Sequence, residues 1–440
     1  METTFSAAAI ARPRMTTFQQ AMLSFFWLAT NVLWTAVLLV TMPSQIKAAV
    51  GDATKGSALG LALAAGAFIS MVAAPSFGAL SDRIRLPGGR RKPWVVIGTI
   101  GNVAALFGLA YLIQPGKPDS VLPWTVAFLL VELFNNVATA PYAALIPDLV
   151  PAEQRGSASG WMGMMTILGT FIGGLIGFLI DPLGGITNVY YVLMAFMLLG
   201  MVVTIIFVKE PKDYVVRPFS WGEFWRGLIH PFRFSDFTWV FMTRMLVTMG
   251  VYTVQEFLQY YLGDVIGAPF SLPLIGQVAD TPETAVSFFI LPLLAGAILS
   301  TLAAGVLSDR HGRKIMVYIS GALMGLVALI FVFFHSFLLA VLMGIVFGLG
   351  YGAYESVDWA LASDVLPSMD DYAKDMGVWH VAMVLPQVIA TPIAGTMLDN
   401  FQRIGQQQNV ANLGYVVIFL LAVVYFILGT VFVKQIKKVK

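Results

Sequence analysis

The sequence predicts an all-α membrane protein with twelve transmembrane helices in two pseudo-symmetric six-helix bundles. Three observations predict it: apolar residues are in large excess, they fall into twelve long runs, and two loop motifs recur about half a chain apart. Charged residues make up only 11% of the 440 residues, and the mean hydropathy is +0.80. Soluble domains carry about 25% charged residues, so most of this chain is expected to lie in lipid.

The twelve apolar runs are each close to the length of about 20 residues that a helix needs to cross the hydrocarbon core. Pro75, Gly173 and Pro392 lie inside such runs, which is compatible with membrane helices because these tolerate both residue types. The predicted spans, numbered 1 to 12 in chain order, are residues 19–42, 56–79, 94–113, 121–146, 157–180, 187–208, 237–262, 284–307, 315–334, 336–362, 375–398 and 412–433.

The basic residues predict the orientation of these spans. The side that carries both chain ends holds 21 Lys and Arg residues, whereas the opposite side holds four: Lys47, Lys55, Lys117 and Arg403. Because positive residues concentrate on the cytoplasmic side, we expect a multi-pass protein of the cell membrane with both termini cytoplasmic. A cleaved signal peptide is not expected, since no small-residue cleavage pattern precedes the first apolar run.

Composition also argues against several functions. The net charge of +2 is too small to indicate a nucleic-acid partner, and the absence of cysteine excludes disulfides and thiolate metal sites. The sequence shows no metal-ligand spacing, nucleophile elbow or phosphate loop. We therefore expect a membrane protein without enzymatic activity, with no cofactor and no bound metal. It is expected to be a monomer surrounded by membrane lipid.

Two pairs of segments indicate an internal duplication. Residues 78–83 read Gly-Ala-Leu-Ser-Asp-Arg, and residues 305–310 read Gly-Val-Leu-Ser-Asp-Arg, an offset of 227. Residues 144–151 and 360–367 also match, at an offset of 216. Two matches in register with the span count predict a repeated six-span unit. The expected domains are residues 1–208 and 237–440, joined by a cytoplasmic linker over residues 209–236 that is expected to lie at the membrane surface.

Twelve spans, two halves and a Gly-x-x-x-Asp-Arg loop followed by Gly-Arg-Arg or Gly-Arg-Lys in each half resemble the major facilitator superfamily. The resemblance implies the major facilitator fold and alternating access, in which the halves rock about a central site. It also implies that spans 1, 4, 7 and 10 line the central cavity.

The loop motif predicts a set of gating residues. Carboxylate–guanidinium pairs at the ends of helices can hold the cytoplasmic side closed and release it on opening. The alternative is that these charges are solvated ion pairs that only orient the spans, each contributing about 0–1 kcal/mol. Pairing of Asp148 with Arg155 is expected on the same reasoning. The predicted set is Gly78, Asp82, Arg83, Asp148, Arg155, Asp309, Arg310 and Arg313.

Five charged residues lie well inside the predicted spans: Glu132, Arg244, Glu256, Glu355 and Asp358. All of them fall on spans 4, 7 and 10, and a charge inside a span is a functional hypothesis by default. Their depths predict that Arg244 pairs with Asp358, either as a structural salt bridge or as a gating pair. Glu256 is expected in the outer third of span 7, where it could face a hydrated vestibule.

Glu132 is the sharpest signal, because it lies about eleven residues into span 4, roughly 16 Å deep at 1.5 Å per residue. Asn135 and Asn136 follow on the same helical face, and an acid with two amides offers the donors and acceptors that hydroxyl groups need. Two alternatives are a permanently protonated acid and interhelical hydrogen bonding. The predicted companions in the substrate site are Asn31, Trp34, Tyr252, Gln255, Tyr354, Asp358 and Trp359.

The segment around Glu132, with Asn135, Asn136 and the later Pro141, resembles the sucrose/proton symporters and the wider glycoside–pentoside–hexuronide:cation group. Residues 376–380 and 385–388 are similar to the same symporters. The resemblance implies that Glu132 couples the proton and contacts the sugar. Glu132 replaces the usual Asp, and His380 stands where Asn is common, so the particular sugar is left open.

Proton-coupled symport of a sugar or glycoside is therefore the predicted function. Span 2 has no acid that would form the paired-aspartate sodium site of melibiose-type carriers, which favours a proton as the coupling ion. Span 5 lacks the Gly-Pro of drug/proton antiporters. The alternatives are export of amphipathic drugs or metabolites, lipid transport and a non-transporting membrane sensor.

Overall fold

A computed structural model describes residues 13–84, 86–210, 230–365 and 372–437. The side chains of residues 152, 302, 306, 309, 359, 360, 363, 372–377, 379 and 380 lie outside this description. Over the described part, twelve helical stretches are long and apolar enough to cross a membrane, which confirms the predicted span count. Residues 211–229 of the predicted linker lie outside the described residues, so its surface helix stays a prediction.

The first half of the chain supplies six spans. Their α-helices are Thr17–Ala36 and Met42–Val50 in span 1, Lys55–Ser81 in span 2, Lys92–Tyr111 in span 3, Val121–Ala143 and Leu145–Leu149 in span 4, Arg155–Gly174 and Ile180–Leu183 in span 5, and Ile186–Phe207 in span 6. A π-helical turn, Val37–Thr41, joins the two parts of span 1, and a 3₁₀ turn, Leu175–Leu179, joins those of span 5.

The second half supplies the other six spans. Their α-helices are Ser235–Gln255 and Leu258–Tyr261 in span 7, Pro282–His311 in span 8, Arg313–Phe333 in span 9, Phe337–Val365 in span 10, Tyr372–Gln408 in span 11, and Leu413–Phe432 in span 12. A π-helical turn, Leu262–Ile266, ends span 7. Strands β1 (Phe270–Leu272) and β2 (Gly276–Ala279) pair antiparallel in the connection to span 8.

Local sequence explains several helix ends. The Thr16 hydroxyl accepts a hydrogen bond from the Gln19 backbone N–H, and the Gln19 side chain accepts one from the Thr16 backbone N–H, which is a capping box. Thr281 caps span 8 with its side chain, and Pro282 occupies the first helical position. Gly312, at a φ of 94°, is the one residue between the helices of spans 8 and 9. That backbone conformation favours glycine, so the loop motif of the second half turns within a single residue.

Spans 1 and 11 extend furthest beyond their predicted ends, because hydropathy locates the lipid-soluble part of a helix but not its full length. Span 11 was predicted to end at residue 398, yet its helix continues to Gln408 through polar residues that carry the helix out of the apolar layer. Span 1 continues past residue 42 to Val50. A π-helical turn precedes Pro43, and the α-helix resumes at Met42 with this proline in its first turn.

Successive spans alternate in direction, so both chain ends lie on one face, here called the terminal face; the opposite face is the distal face. On the distal side the two halves are in close contact. A Cβ on Gly56 of span 2 would lie 2.7 Å from the Gly395 carbonyl oxygen of span 11, and one on Gly174 would lie 2.7 Å from Ile290 of span 8. Small residues that let helices approach this closely are typical of membrane helix interfaces.

On the terminal side the same two spans of the first half face open space. Among the described residues, nothing lies within 4 Å of a Cβ built on Gly78 of span 2 or on Gly156, Gly160 and Gly163 of span 5. In the described part of the chain, these close contacts between the halves therefore lie on the distal side, whereas the terminal ends of spans 2 and 5 have open space at the glycines named.

Candidate functional site

Glu132 lies on the buried face of span 4, with the amides Asn135 and Asn136 one turn further along the helix. Its side chain is packed against span 2, where a Cβ on Gly66 would lie 3.2 Å from the Glu132 Cγ. Glu132 is 9% exposed. In the described part of the chain, no hydrogen bond or ion pair to its carboxyl group is found. A buried acid without a partner is costly when ionised, so this group is suited to binding a proton or a polar ligand.

The two amides beside Glu132 are oriented differently. Asn136 Nδ2 donates to Ser70 Oγ of span 2 at 2.9 Å and to the Glu132 backbone oxygen at 2.9 Å. It therefore bonds between helices, as the interhelical alternative anticipated. Asn135 Oδ1 is buried and has no hydrogen-bond partner, so it remains available to a ligand. Of the two amides that follow Glu132, Asn136 therefore has a structural role and Asn135 is available to a ligand.

A second buried cluster lies in the other half. Arg244 of span 7 pairs with Asp358 of span 10, as the depths predicted. It also reaches Glu355, whose Oε1 is 3.5 Å from Arg244 Nη2. Tyr354 is buried and donates to Asp358 Oδ1 at 3.2 Å. Tyr354 and Asp358 are therefore engaged with Arg244 rather than directed at a free ligand.

Tyr252 of span 7 lies near ionisable groups of both clusters. Its hydroxyl donates to the Met383 backbone oxygen of span 11 at 3.3 Å, and it interacts electrostatically with Glu256, Glu355, Arg244 and Glu132. Because Glu132 belongs to the first half and Tyr252 to the second, the candidate site spans the interface between the halves. This is where a central substrate is expected in an alternating-access transporter.

Other predicted companions are less directly engaged. Asn31 is half-buried and donates to its own helix, to the Trp27 oxygen at 2.7 Å. Trp34 is half-buried and packs edge-on against Phe128, with ring centroids 6.3 Å apart. Gln255 is half-buried. The side chain of Trp359 lies outside the described residues.

Glu256 differs from its sequence-based expectation. It was expected to face a hydrated vestibule, but it is only 2% exposed. The helix of span 7 ends at Gln255, just before it, and restarts at Leu258. Residue counting assigns a depth to a continuous helix, and it could not reveal that the chain folds this residue inward at an interruption.

The first-half loop motif forms an ion-pair cluster on the terminal face, referred to here as the Arg91 cluster. Arg91 is 3% exposed; its Nη2 lies 2.6 Å from Asp82 Oδ1 and its Nε 3.0 Å from Asp148 Oδ2. Arg90 also pairs with Asp82. The prediction that Asp148 pairs with Arg155 is wrong, because Arg91 occupies that carboxylate. Arg155 Nη2 instead donates to the Pro147 oxygen at 3.3 Å.

Glu210 follows the helix of span 6, and its side chain binds the backbone of the same loop. Its carboxylate accepts hydrogen bonds from the backbone N–H groups of Arg90, Arg91 and Lys92, at 2.7, 2.8 and 2.7 Å. These N–H groups precede or begin the helix of span 3, where negative charge is favoured. Sequence analysis missed Glu210, since it lies 118 residues from the nearest of its partners.

The second half repeats one element of this arrangement. Arg313 pairs with Asp364, which correspond in the duplicated unit to the Arg90–Arg91 segment and Asp148. Arg310 is exposed, and Arg83 is half-buried directly after the helix of span 2. The side chain of Asp309 lies outside the described residues. Gly78 has open space at its Cβ, so its small size is not required by packing in this conformation.

A set of polar contacts between the halves was not predicted; it is called the distal seal. Asp264 of span 7 pairs with Lys55 and, at 2.7 Å, with Lys47, and it accepts from the Tyr415 hydroxyl at 2.5 Å. Asp399 of span 11 accepts from the N–H groups of Gly56 and Ser57. The sequence signal was present, because Lys47 and Lys55 are two of only four basic residues on that side.

Two further contacts complete the distal seal. The Thr391 hydroxyl of span 11 donates to the Gly60 oxygen of span 2 at 3.0 Å, and Glu283 of span 8 accepts from Ser44 of span 1. Beside the seal, the hydrogen bond that Lys55 donates to Asp52 lowers the pKa of this carboxyl. Among the described residues, no group of three or more His, Cys, Asp or Glu side chains could hold a metal ion.

Comparisons with known proteins agree with this architecture. A family model described as MFS/sugar transport protein matches residues 53–370. A multi-drug resistance efflux pump, PmrA of Streptococcus pneumoniae, is 26% identical over 318 residues, or 70% of this chain and 71% of that protein. A general alpha-glucoside permease of Schizosaccharomyces pombe is 28% identical over 172 residues, or 34% of this chain and 30% of that protein.

Among solved structures, a bacterial homolog of the human lysosomal transporter Spinster, in an inward-facing and occupied conformation, is similar in fold. The two chains superpose with a TM-score of 0.73 at 13% identity, covering 95% of this chain and 96% of the other. At this identity the similarity is one of fold alone, which supports the twelve-span architecture.

Proposed function

The chain belongs to the MFS/sugar transport protein family of the major facilitator superfamily, and on this premise we propose that it carries a sugar or glycoside together with a proton. The proposed site is the interface between the halves, with Glu132 and Asn135 on one side and Tyr252 on the other. The proposed orientation places the terminal face in the cytoplasm, as the distribution of basic residues indicates.

The observation that carries this proposal is the state of Glu132. It is a buried acid with no ion-pair partner in the described part of the chain, beside an amide oxygen that is also unpaired. A carboxyl group in such a place can exchange a proton, and it can accept a hydrogen bond from a hydroxyl when ionised. One group that does both makes proton binding and sugar binding depend on each other.

Alternating access is supported by the asymmetry of the two faces. The distal seal joins the halves around Asp264 and Asp399, while the terminal side is open at Gly78 and Gly163. In the proposed cycle, the seal opens to admit substrate from the distal side, and the Arg91 cluster moves with its half as the terminal side closes.

The test uses purified protein in liposomes and a panel of mono- and disaccharides. We expect one class of sugar to drive proton uptake in the wild type. Glu132→Gln should abolish uphill transport while retaining sugar exchange, since it removes the titratable group and keeps the shape. Gln407→Glu is the control, because Gln407 is exposed at the distal end of span 11. Asn136→Asp would not serve as a control, since the Asn136 side chain hydrogen-bonds to span 2.

Proton-driven export of amphipathic compounds is the second candidate. The observation that favours it is the 26% identity with a multi-drug resistance efflux pump over 70% of this chain. In the same liposomes, proton movement driven by an amphipathic cation with no response to any sugar would select this function and exclude sugar symport.

A further inference from the structure

Glu256, like Glu132, is a buried acid that forms no ion pair in the described part of the chain, and it lies in the half opposite Glu132. Its Oε1 accepts from Gln387 Nε2 of span 11 at 3.4 Å. Its Oε2 is buried and has no hydrogen-bond partner. In the described part of the chain, no basic side chain pairs with it, since the ion pairs of Arg244 that the structure shows are with Asp358 and Glu355.

The one cation near Glu256 in the described part of the chain is engaged with other acids. Tyr252 precedes Glu256 by one turn and is neutral as a phenol. Through Tyr252 it neighbours the acids Glu355 of span 10 and Glu132 of span 4, and Arg244 of span 7, which forms ion pairs with Asp358 and Glu355. Gln387 of span 11 is a neutral amide. An ionised carboxylate with only these neighbours and 2% exposure would be strongly disfavoured, so the neutral acid is the form that fits this conformation.

The distal seal is directly connected to this acid. Gln387, which holds Glu256, lies one turn before Thr391 on span 11, and the Thr391 hydroxyl contacts both the Gln387 oxygen at 2.6 Å and the Gly60 oxygen of the other half at 3.0 Å. The turn of helix that bonds to Glu256 is therefore the turn that closes against span 2. When this contact separates, water can reach Glu256.

We propose that Glu256 is a second proton-binding site, separate from Glu132, that is loaded as the distal face closes and unloaded as it opens. In the open state the ionised carboxylate is hydrated. On closure it takes a proton from hydronium in the distal solution, leaving water and a neutral acid that can be buried. The proposal rests on the proposed function only in requiring that the two halves alternate.

The experiment measures the distal opening directly, without sugar. The chain has no cysteine, so cysteines placed at Lys117 and Gln407, both exposed on the distal face and one in each half, can carry two spin labels. Pulsed electron-spin distance measurements in lipid nanodiscs between pH 5 and 9 then report the closed fraction. In the wild type this fraction should fall as the pH rises, because the ionised acid favours the open state.

Glu256→Gln, which stays neutral, should remain closed across the whole pH range. Asp280→Asn, which removes an exposed acid on the distal side outside the proposed site, should keep the wild-type pH response and is the matched control. A Glu256→Gln variant with an unchanged pH response would overturn the proposal, as would a wild type whose closed fraction does not vary with pH. The sugar-uptake assay plays no part in this readout, so failure of the symport proposal and failure of this one are distinguishable.

A second variant guards against misfolding of Glu256→Gln. Gln387→Met removes the amide that donates to Glu256 in the closed state, where the acid is neutral, so the closed state loses one hydrogen bond. The pH at which the distal face opens should then fall by up to about one unit, since a hydrogen bond between neutral groups contributes about 0.5–1.5 kcal/mol. No shift, or an upward shift, would contradict the assignment.

Discussion

Asp399 of span 11 lies with its Oδ1 2.9 Å from the backbone nitrogen of Gly56, the second residue of the span 2 helix. The same carboxylate accepts from the N–H of Ser57 at 2.7 Å and from its hydroxyl at 2.6 Å. A residue of one half therefore caps a helix of the other half. The free N–H groups at a helix start attract negative charge, so this cap favours the conformation in which the distal side is closed.

Asp399→Asn should shift the equilibrium toward the distal-open conformation. The amide keeps one acceptor oxygen but loses the charge and the second acceptor, and a change of about 1.4 kcal/mol would alter the ratio of conformations tenfold. The label pair at positions 117 and 407 measures the shift. Asp280→Asn is the control, because Asp280 is exposed on the distal side and, among the described residues, hydrogen-bonds only to Gln277 of its own half. An equal effect of both variants would refute the cap.

Two glycine variants should have opposite effects. Gly56→Val places a side chain against the Gly395 oxygen, 2.7 Å from the ideal Cβ position, and should disfavour distal closure. Gly163→Val is accommodated here, since nothing described lies within 4 Å, and should disfavour terminal closure instead. Spin labels on each face would measure both. If Gly163→Val also opened the distal side, the two faces would not alternate as we propose.

Loss of Asp148 should destabilise the protein more than loss of Asp364. Asp148→Asn leaves Arg91, whose side chain is 4% exposed, with Asp82 and Ser81 alone, and we expect a loss of about 1–3 kcal/mol. Asp364 and its partner Arg313 are 39% and 23% exposed, so Asp364→Asn should cost about 0–1 kcal/mol. Thermal unfolding in detergent compares the two, and the reverse order would show that burial does not govern these pairs.

The Arg244–Asp358 pair can be assigned by a double substitution. Asp358→Leu alone removes the closest carboxylate of a fully buried guanidinium, which should cost about 3 kcal/mol or more. Arg244→Leu combined with Asp358→Leu should restore the unfolding temperature, because no charge is then buried. Transport by the restored protein decides between the two roles: full activity indicates a structural pair, and a stable but inactive protein indicates gating.

Much of the fold could be predicted because lipid imposes simple rules on sequence. Apolar runs gave the twelve spans, and the depths of Arg244 and Asp358 gave their pairing. Both inferences need only the position of a residue along one straight helix. Where a helix is interrupted, as at Glu256, the same counting assigns the wrong environment.

Contacts between distant segments could not be predicted in the same way. Asp148 was expected to pair with Arg155, seven residues away, but pairs with Arg91, 57 residues away. Asp399 and Gly56 are 343 residues apart, and nothing near either residue indicates the other. Charge counts placed Lys47 and Lys55 on the correct side relative to the chain ends, yet charge counts carry no information on partners such as Asp264.

The connection between the halves leaves span 6 at Phe207 and enters span 7 at Ser235, on the terminal face, whereas the distal seal lies on the opposite face. The covalent tether and the noncovalent contacts thus act at opposite ends of the molecule. Because the two halves belong to one chain, reclosure of the seal is a unimolecular step. The effective concentration of one half near the other is set by the tether and not by the number of molecules in the membrane. A seal too weak to hold two separate proteins together is therefore strong enough here, and it can break in every transport cycle without dissociation of the halves.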